Sequence, residues 1–166
     1  KDDKRELYGT FNALNKIFIL LATQVSIDRI KTIKKVQGDF SKIAAKILGI
    51  ENVDISLEYY ISGESAIDKS EDQVFELLKK RLNELHSAET AKGSSLVGPQ
   101  KHDVKFLFNG NDSRFYCSQG QQRALILALK IAQIVVHQKT RGFYPILLLD
   151  DVLSELDFRK RENLVN

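Results

Sequence analysis

The stretch "CSQGQQRALILALKIAQ", Cys117 to Gln133, sets a short polar, Gly-containing segment directly against an apolar helical run. Ser118 followed three residues later by Gln121 is the pattern of a capping box. In it the Ser118 hydroxyl accepts from a first-turn N–H, and the Gln121 side chain reaches back to the cap. Gly120 lets another group approach the backbone with no Cβ in the way. No acidic side chain follows Ser118 in the first turn. The free N–H groups and the helix dipole are therefore open to an external anion such as phosphate. A serine cap alone is equally what an ordinary helix uses.

A second stretch, "PILLLDDVLSELD", Pro145 to Asp157, completes the pattern. Four apolar residues ending in two aspartates predict a fully buried strand, Ile146 to Leu149. Such a strand delivers Asp150 and Asp151 to the sheet edge where ligands of open α/β sheets bind. Neighbours on a strand point to opposite sides, so the two carboxylates have different tasks. One can hold Mg²⁺, and the other can orient or deprotonate a water. The plainer reading of Asp151 is a cap on the next helix. Ser154 and Asp157 can turn the chain and cap that helix.

The chain has 166 residues, 43% of them apolar, which suits one packed domain or one domain plus an appended element. No run of 18 apolar residues is present, so no membrane span is expected, and no charged segment followed by an apolar one suggests a secretion signal. One cysteine, Cys117, points to a reducing, intracellular setting. The absence of Met and the final "RKRENLVN", which reads as an unfinished helix, suggest a piece of a longer protein. The net charge of +3 is uneven: residues 1–50 carry +5, residues 51–100 carry −5 and residues 101–166 carry +3. A basic end beside an acidic middle suits a surface facing a polyanion.

From Asn12 to Leu48, Leu14, Ile17, Phe18, Leu21 and Val25, then Ile30, Ile33, Phe40, Ile43 and Ile47, recur at helical spacing. This predicts an amphipathic helix, continuous or broken once near Gln37-Gly38-Asp39, that stops at Gly49. Lys31, Lys34, Lys35, Lys42 and Lys46 lie mainly off the apolar stripe. They read either as a solvated face or as an arm touching nucleic-acid phosphates. Val53 to Ile61 predicts a strand and Val74 to about Ala88 a helix. "VKFLF" and "RFYC" around "NGND" read as a hairpin. Gln121 to Gln138 and the residues from Glu155 onward predict helices. A helix followed by an all-apolar strand fits a parallel sheet covered on both faces.

Ser118-Gln119-Gly120-Gln121-Gln122-Arg123 resembles the signature motif of ABC-type ATPases, "ILLLDD" their Walker B strand, and "SELD", Ser154 to Asp157, their D-loop. More narrowly, "SQGQQR" with "PILLLDDVLSELD" resembles the RecF family of bacterial recombination mediators, cousins of the SMC-type ATPases. "SLVGPQKHD", Ser95 to Asp103, resembles that family's "TL-x-GPHRDD". It departs from it at Gln100, Lys101 and His102 and keeps Asp103. The likeness is strong over Ser95 to Arg161 and looser before it.

The resemblance implies an α/β fold: the C-terminal lobe of an ABC-type head, residues 91–166, with a helical arm, residues 1–90, carrying the strand at 53–61. It implies that Asp150 assists Mg²⁺ and that Asp151, where most ABC proteins have Glu, polarises the attacking water. Ser118 and Gly120, with the backbone of Gln119 and Gln121, would bind the γ-phosphate of ATP held by a second subunit. Ser154 and Asp157 would line the dimer interface. It further implies a bacterial, cytoplasmic, nucleoid-associated protein of repair and replication restart. Such a protein binds duplex DNA or junctions through residues such as Lys31, Lys34, Lys35 and Lys42. It works with RecO and RecR to help RecA load at gaps, and it needs no membrane.

A P-loop is absent from the chain. Gly93 and Gly98 come nearest, but Pro99 stands where Lys is required and no Gly-Lys pair occurs. ATP and Mg²⁺ binding would need an N-terminal lobe, so a weak ATPase is expected of a longer dimer and none of this chain alone. His86, His102 and His137 have no ligand partners at metal-binding spacing. Cys117 reads as a small buried residue rather than a nucleophile. Phe106, Phe108, Phe115 and Tyr116 could stack on bases, although a hairpin would place half of them in the core. Two other readings stand beside the first: a nucleotide-binding subunit of another ABC or SMC-type system, and a scaffold that does not hydrolyse ATP.

Overall fold

Residues 2–48 contain no proline, and the computed structural model carries them as one unbroken helix, α1 (Asp2–Leu48). The structure describes the backbone of residues 2–148 and side chains from residue 9 onward. Gly38 does not break α1, because long runs of good helix formers on both sides outweigh the roughly 1 kcal/mol that one glycine costs. A Cβ at Gly38 would meet nothing within 4 Å. Gly38→Ala is therefore expected to raise stability by about 0.5–1 kcal/mol in urea unfolding, through the unfolded chain and with no new contact. The helix stops where expected. Gly49 takes φ 65°, its N–H bonds Lys46 O at 3.1 Å, and the Ile50 N–H bonds Ala45 O at 3.2 Å. That pair of bonds is a Schellman closure.

Two compact units share the chain: residues 1–31 with 59–103, and residues 32–58 with 104–166, the latter described as far as residue 148. The units thus combine segments far apart in sequence, because α1 and the strand after it run through both. The expected linear division at residue 90 extends into residues outside the described ones.

In the first unit α1 buries Ile19, Ala22, Ile27 and Ile30. The hydroxyls of Thr23 and Ser26, also buried, donate to Ile19 O and Ala22 O, one turn back, at 2.8 and 2.7 Å. This corrects the expected stripe: Leu14, Ile17, Leu21 and Val25 stay exposed. The N-terminal half of α1 is apolar on more than one side, so spacing alone does not select the side that packs. By length and composition this helix also holds a stretch apolar enough to cross a membrane, contrary to the reading from uninterrupted runs. In the described fold it supplies core residues to both units.

Strand β1 (Ile55–Ile61) alternates buried and half-buried residues. It turns through Ser62 (φ 52°) and Gly63 (φ 88°) into β2 (Glu64–Ser65), antiparallel. Helix α2 (Glu71–Lys92) starts on a reciprocal Ser70–Gln73 capping box and ends at Gly93 in the left-handed region. Val74 and Leu78 face the core.

In the second unit Val36, Phe40, Ala44 and Ile47 of α1 pack with Ile55, Leu57 and the helix α4 (Gln119–Arg141) residues Ala124, Leu125, Leu127, Ala128 and Ala132. Gln37 and Ser41 of α1 bond the β1 backbone as another strand would. Gln37 donates to Ile55 O at 3.0 Å and accepts from the Leu57 N–H at 2.7 Å, while Ser41 donates to Ile55 O at 2.6 Å. Strand β3 (Asp103–Phe108) joins β4 (Asn111–Asp112) by the Asn109-Gly110 turn, both residues at positive φ, as a type I′ hairpin requires. The Asn109 N–H reaches Asp54 O at 2.7 Å, so β3 runs antiparallel to β1 in a sheet ordered β2-β1-β3-β4.

Two expectations change here. "RFYC" is no strand: after β4 the chain forms the short helix α3 (Ser113–Tyr116), because the Asp112 side chain caps it by accepting from the Arg114 N–H at 3.1 Å. The strand at Ile146 to Leu149 is not formed in its described part. Residues 145–148 have no regular structure, with Ile146 89% and Leu148 87% exposed. A buried strand needs partners for its N–H and C=O groups, and no strand among the described residues pairs with this one. The described fold is α/β, and its sheet is antiparallel rather than parallel.

Candidate functional site

Helix α4 begins as the sequence predicts. Ser118 has extended backbone, its hydroxyl accepts from the Gln121 N–H at 3.3 Å, and its own N–H donates to Gln121 Oε1 at 2.8 Å. The capping box uses those two donors. The N–H groups of Gln119 and Gly120 lie in the first turn, where a helix offers no internal acceptor. Ser118 and Gln119 are exposed, and no acid occupies the turn. An anion meeting this turn finds backbone donors, a hydroxyl and the positive end of a 23-residue helix.

The segment leading into the cap is held firmly, which the sequence reading did not anticipate. The Gln122 side-chain amide donates to Cys117 O at 3.0 Å, Ser113 O at 3.2 Å and Arg114 O at 3.4 Å. Arg114 in turn grips both oxygens of Asp112, its Nε donating to Oδ1 at 3.1 Å and its Nη2 to Oδ2 at 2.7 Å, and this pairing holds the Asp112 carboxyl below its ordinary pKa. Ser113 is buried. Phe106 and Phe108 pack against the core, whereas Phe115 and Tyr116 point outward. Cys117 is half-buried against the core, and desolvation raises its thiol pKa. A thiol so placed is a poor nucleophile at neutral pH, in keeping with a packing role.

Asp150, Asp151, Ser154 and Asp157 lie outside the described residues. Among the described residues no cluster of His, Cys, Asp and Glu could hold a metal. Lys31, Lys34, Lys35 and Lys42 are all exposed and, by helical spacing, share one side of α1.

The segment from Ser95 to Asp103 belongs to the first unit. Glu89 Oε1 accepts from Ser95 Oγ, the Leu96 N–H and the Val97 N–H at 3.1, 2.6 and 3.2 Å, fixing its start. At its end His102 Nδ1 lies 2.7 Å from the Tyr59 hydroxyl and 3.4 Å from Ser26 Oγ, and Arg29 donates to Pro99 O. His102 Nε2 is buried with no hydrogen-bond partner. A second ring proton would meet no acceptor there. Burial first, and the Arg29 charge second, lower the His102 pKa from 6.5 to about 4.

Because the folded-state pKa lies below the unfolded one, stability is full above about pH 6.5 and falls as pH drops toward 4. Urea unfolding between pH 7.5 and 4 is expected to show this loss, at about 1–2 kcal/mol, since the ring is not fully enclosed. His102→Gln should flatten it. The Asp112 shift has the same sense, but its stability is lost only as pH falls through the lower carboxylate range, below the His102 window.

No protein-family model matches the chain. The DNA replication and repair protein RecF of Pelotomaculum thermopropionicum is 43% identical over 117 residues, 70% of this chain and 32% of that protein. RecF of Staphylococcus carnosus is 35% identical over 153 residues, 92% of this chain and 41% of that protein. A solved structure of the recombination mediator protein RecF with ATP, in the RecFOR pathway, superimposes with a TM-score of 0.71 at 35% identity over 92% of this chain and 42% of its own. The likeness therefore runs well into the helical first half. The chain spans about a third to two fifths of the length of these relatives.

The described elements are thus similar to those of part of the recombination mediator protein RecF. The chain belongs to the RecF family.

Proposed function

We propose that this chain is part of an ATP-gated DNA-binding protein of recombinational repair and replication restart. In this reading Ser118 and the first turn of α4 receive the γ-phosphate of ATP bound by a second copy. The observation that carries it is the open, acid-free start of α4, held in shape by the Ser118–Gln121 box and by Gln122. The residues present fit such an anion: donors converge on one turn with no carboxylate to repel it. When bound, the γ-phosphate would supply the negative charge that Ser118 and the first turn of α4 meet, and its departure as inorganic phosphate after hydrolysis would leave that turn without a partner.

Within that scheme Asp150 would assist Mg²⁺, Asp151 would orient the attacking water, and Ser154 and Asp157 would face the partner copy. Hydrolysis is weak and needs an N-terminal lobe with a P-loop, which this sequence lacks. The dimer would act in a bacterial cytoplasm at duplex or junction DNA, with RecO and RecR, to help RecA load at gaps. RecF relatives at 35–43% identity support the repair role.

DNA contact is assigned to the basic side of α1. Neutralising Lys31, Lys34, Lys35 and Lys42 together to Gln is expected to weaken DNA binding by the complete protein. It should also lower the slope of log K against log salt by roughly 3 to 4, at about 0.9 per phosphate contact. Fluorescence anisotropy from low to moderate salt measures this. An unchanged slope would place the DNA surface elsewhere.

A further inference from the structure

Between Phe11 and Val25 helix α1 carries one charged residue, Lys16. Within that stretch Phe11, Leu14, Ile17, Leu20, Leu21 and Val25 are 40–63% exposed. At 3.6 residues per turn they take one half of the helix circumference, and the buried Ile19, Ala22, Thr23, Ser26 and Ile27 take the other. A helix that is apolar all round belongs inside a core, and here the described residues cover only half of it. Beside the open half lies a cavity of about 410 Å³, with Phe11, Leu14 and Phe18 of α1 and Leu82 and His86 of α2 among its walls. The Phe11 and His86 rings stand 5.4 Å apart there.

We propose that the open half of α1 is the seat of a pair of helices from the part of the protein that lies outside this chain, which makes α1 a central helix of the completed domain. Width, chemistry and length favour that occupant. One packed helix covers a stripe of about 100°. A second copy of α1, paired two-fold with this one, would therefore leave part of the open half in water. Duplex DNA would find a single cation, Lys16, on the whole stretch. Surfaces as apolar as this one are those of permanent assemblies rather than passing encounters. The RecF structure on which this chain superimposes has more than half its length outside the match, which takes 42% of it. Phe11 to Val25 rises about 21 Å, so each covering helix needs about 15 residues. The assignment is independent of the reading of Ser118.

The test uses the complete protein, purified free of lipid and nucleotide, with one cysteine introduced at a time: Leu14→Cys, Leu21→Cys and, as a reference further along the same helix, the exposed Lys31→Cys. Maleimide labelling is followed peptide by peptide by mass spectrometry, so other cysteines do not interfere. The expected result is labelling at positions 14 and 21 at least tenfold slower than at 31, unchanged on dilution. Leu21→Ala is read beside them by urea unfolding, and its midpoint should fall, because a covered leucine is lost there and an open one would cost little.

Labelling at 14 and 21 as fast as at 31, or a Leu21→Ala midpoint equal to the wild type, overturns the proposal: the face is then open in the complete protein. Protection that disappears on dilution overturns it in favour of a second copy. Protection that appears only when phosphatidylglycerol vesicles are added overturns it in favour of a lipid surface.

Discussion

Gly98→Ala should cost about 2–5 kcal/mol, the largest loss of stability expected from any single methyl group in this chain. Gly98 sits at φ 121° and ψ 173°, a region that residues with a Cβ avoid. Space is short as well: the new Cβ would lie 2.8 Å from Phe18 Cζ and 2.6 Å from Gln100 Oε1. The Gln100 side chain can swing away, though it then loses its bond to Val97 O. The Phe18 ring has less freedom, and no rearrangement of neighbours relieves the backbone. The loss should fall on the turn that Glu89 begins and His102 ends. Urea unfolding measures it, with Gly38→Ala as the internal contrast. The two substitutions add the same methyl group and should shift the midpoint in opposite directions. A Gly98→Ala loss under about 0.5 kcal/mol would mean that the turn adapts freely.

The second large effect is functional. Ser118→Arg should abolish ATP-dependent dimerisation of the complete protein while leaving it folded. The substitution removes an N-cap, worth about 0.5–2 kcal/mol. That is a modest loss for a helix whose other face packs Ala124, Leu125, Leu127 and Ala128 into the core. Ser118 is exposed, so among the described residues the longer side chain can extend into solvent. It would occupy the space that an incoming phosphate needs. Ser118→Ala separates the two contributions. It removes the cap without filling the site, so it should weaken dimerisation without abolishing it.

The elements that sequence alone locates well are those governed by local chemistry. The Ser118–Gln121 box, the Asn109-Gly110 turn and the Gly49 stop each depend on residues within a few positions, and each is present. Where partners are distant, local pattern misleads. "RFYC" has strand-like residues, yet the Asp112 cap and the side chain of Gln122, nine residues beyond Ser113, bend it into α3. In the second unit the side of α1 that packs is the one met by β1 and α4, which spacing alone does not select. Ile146 to Leu148 has the composition of a central strand, but composition supplies no ladder. The candidate site divides in the same way. Its cap was legible as a motif, and the Gln122 clamp emerges only from the packing. Asp150, Asp151, Ser154 and Asp157 fall outside the described residues and stay with the motif that suggested them.

The central claim is that the start of α4 meets a phosphate carried by another copy. Light scattering of the complete protein, with its P-loop lobe, measures this directly as molecular mass with and without Mg·ATP. The account predicts that ATP doubles the mass, that Ser118→Arg stays monomeric at the same ATP concentration, and that Asp151→Asn keeps or prolongs the dimer. An unchanged mass on adding ATP, or a Ser118→Arg protein that dimerises as the wild type does, would contradict it.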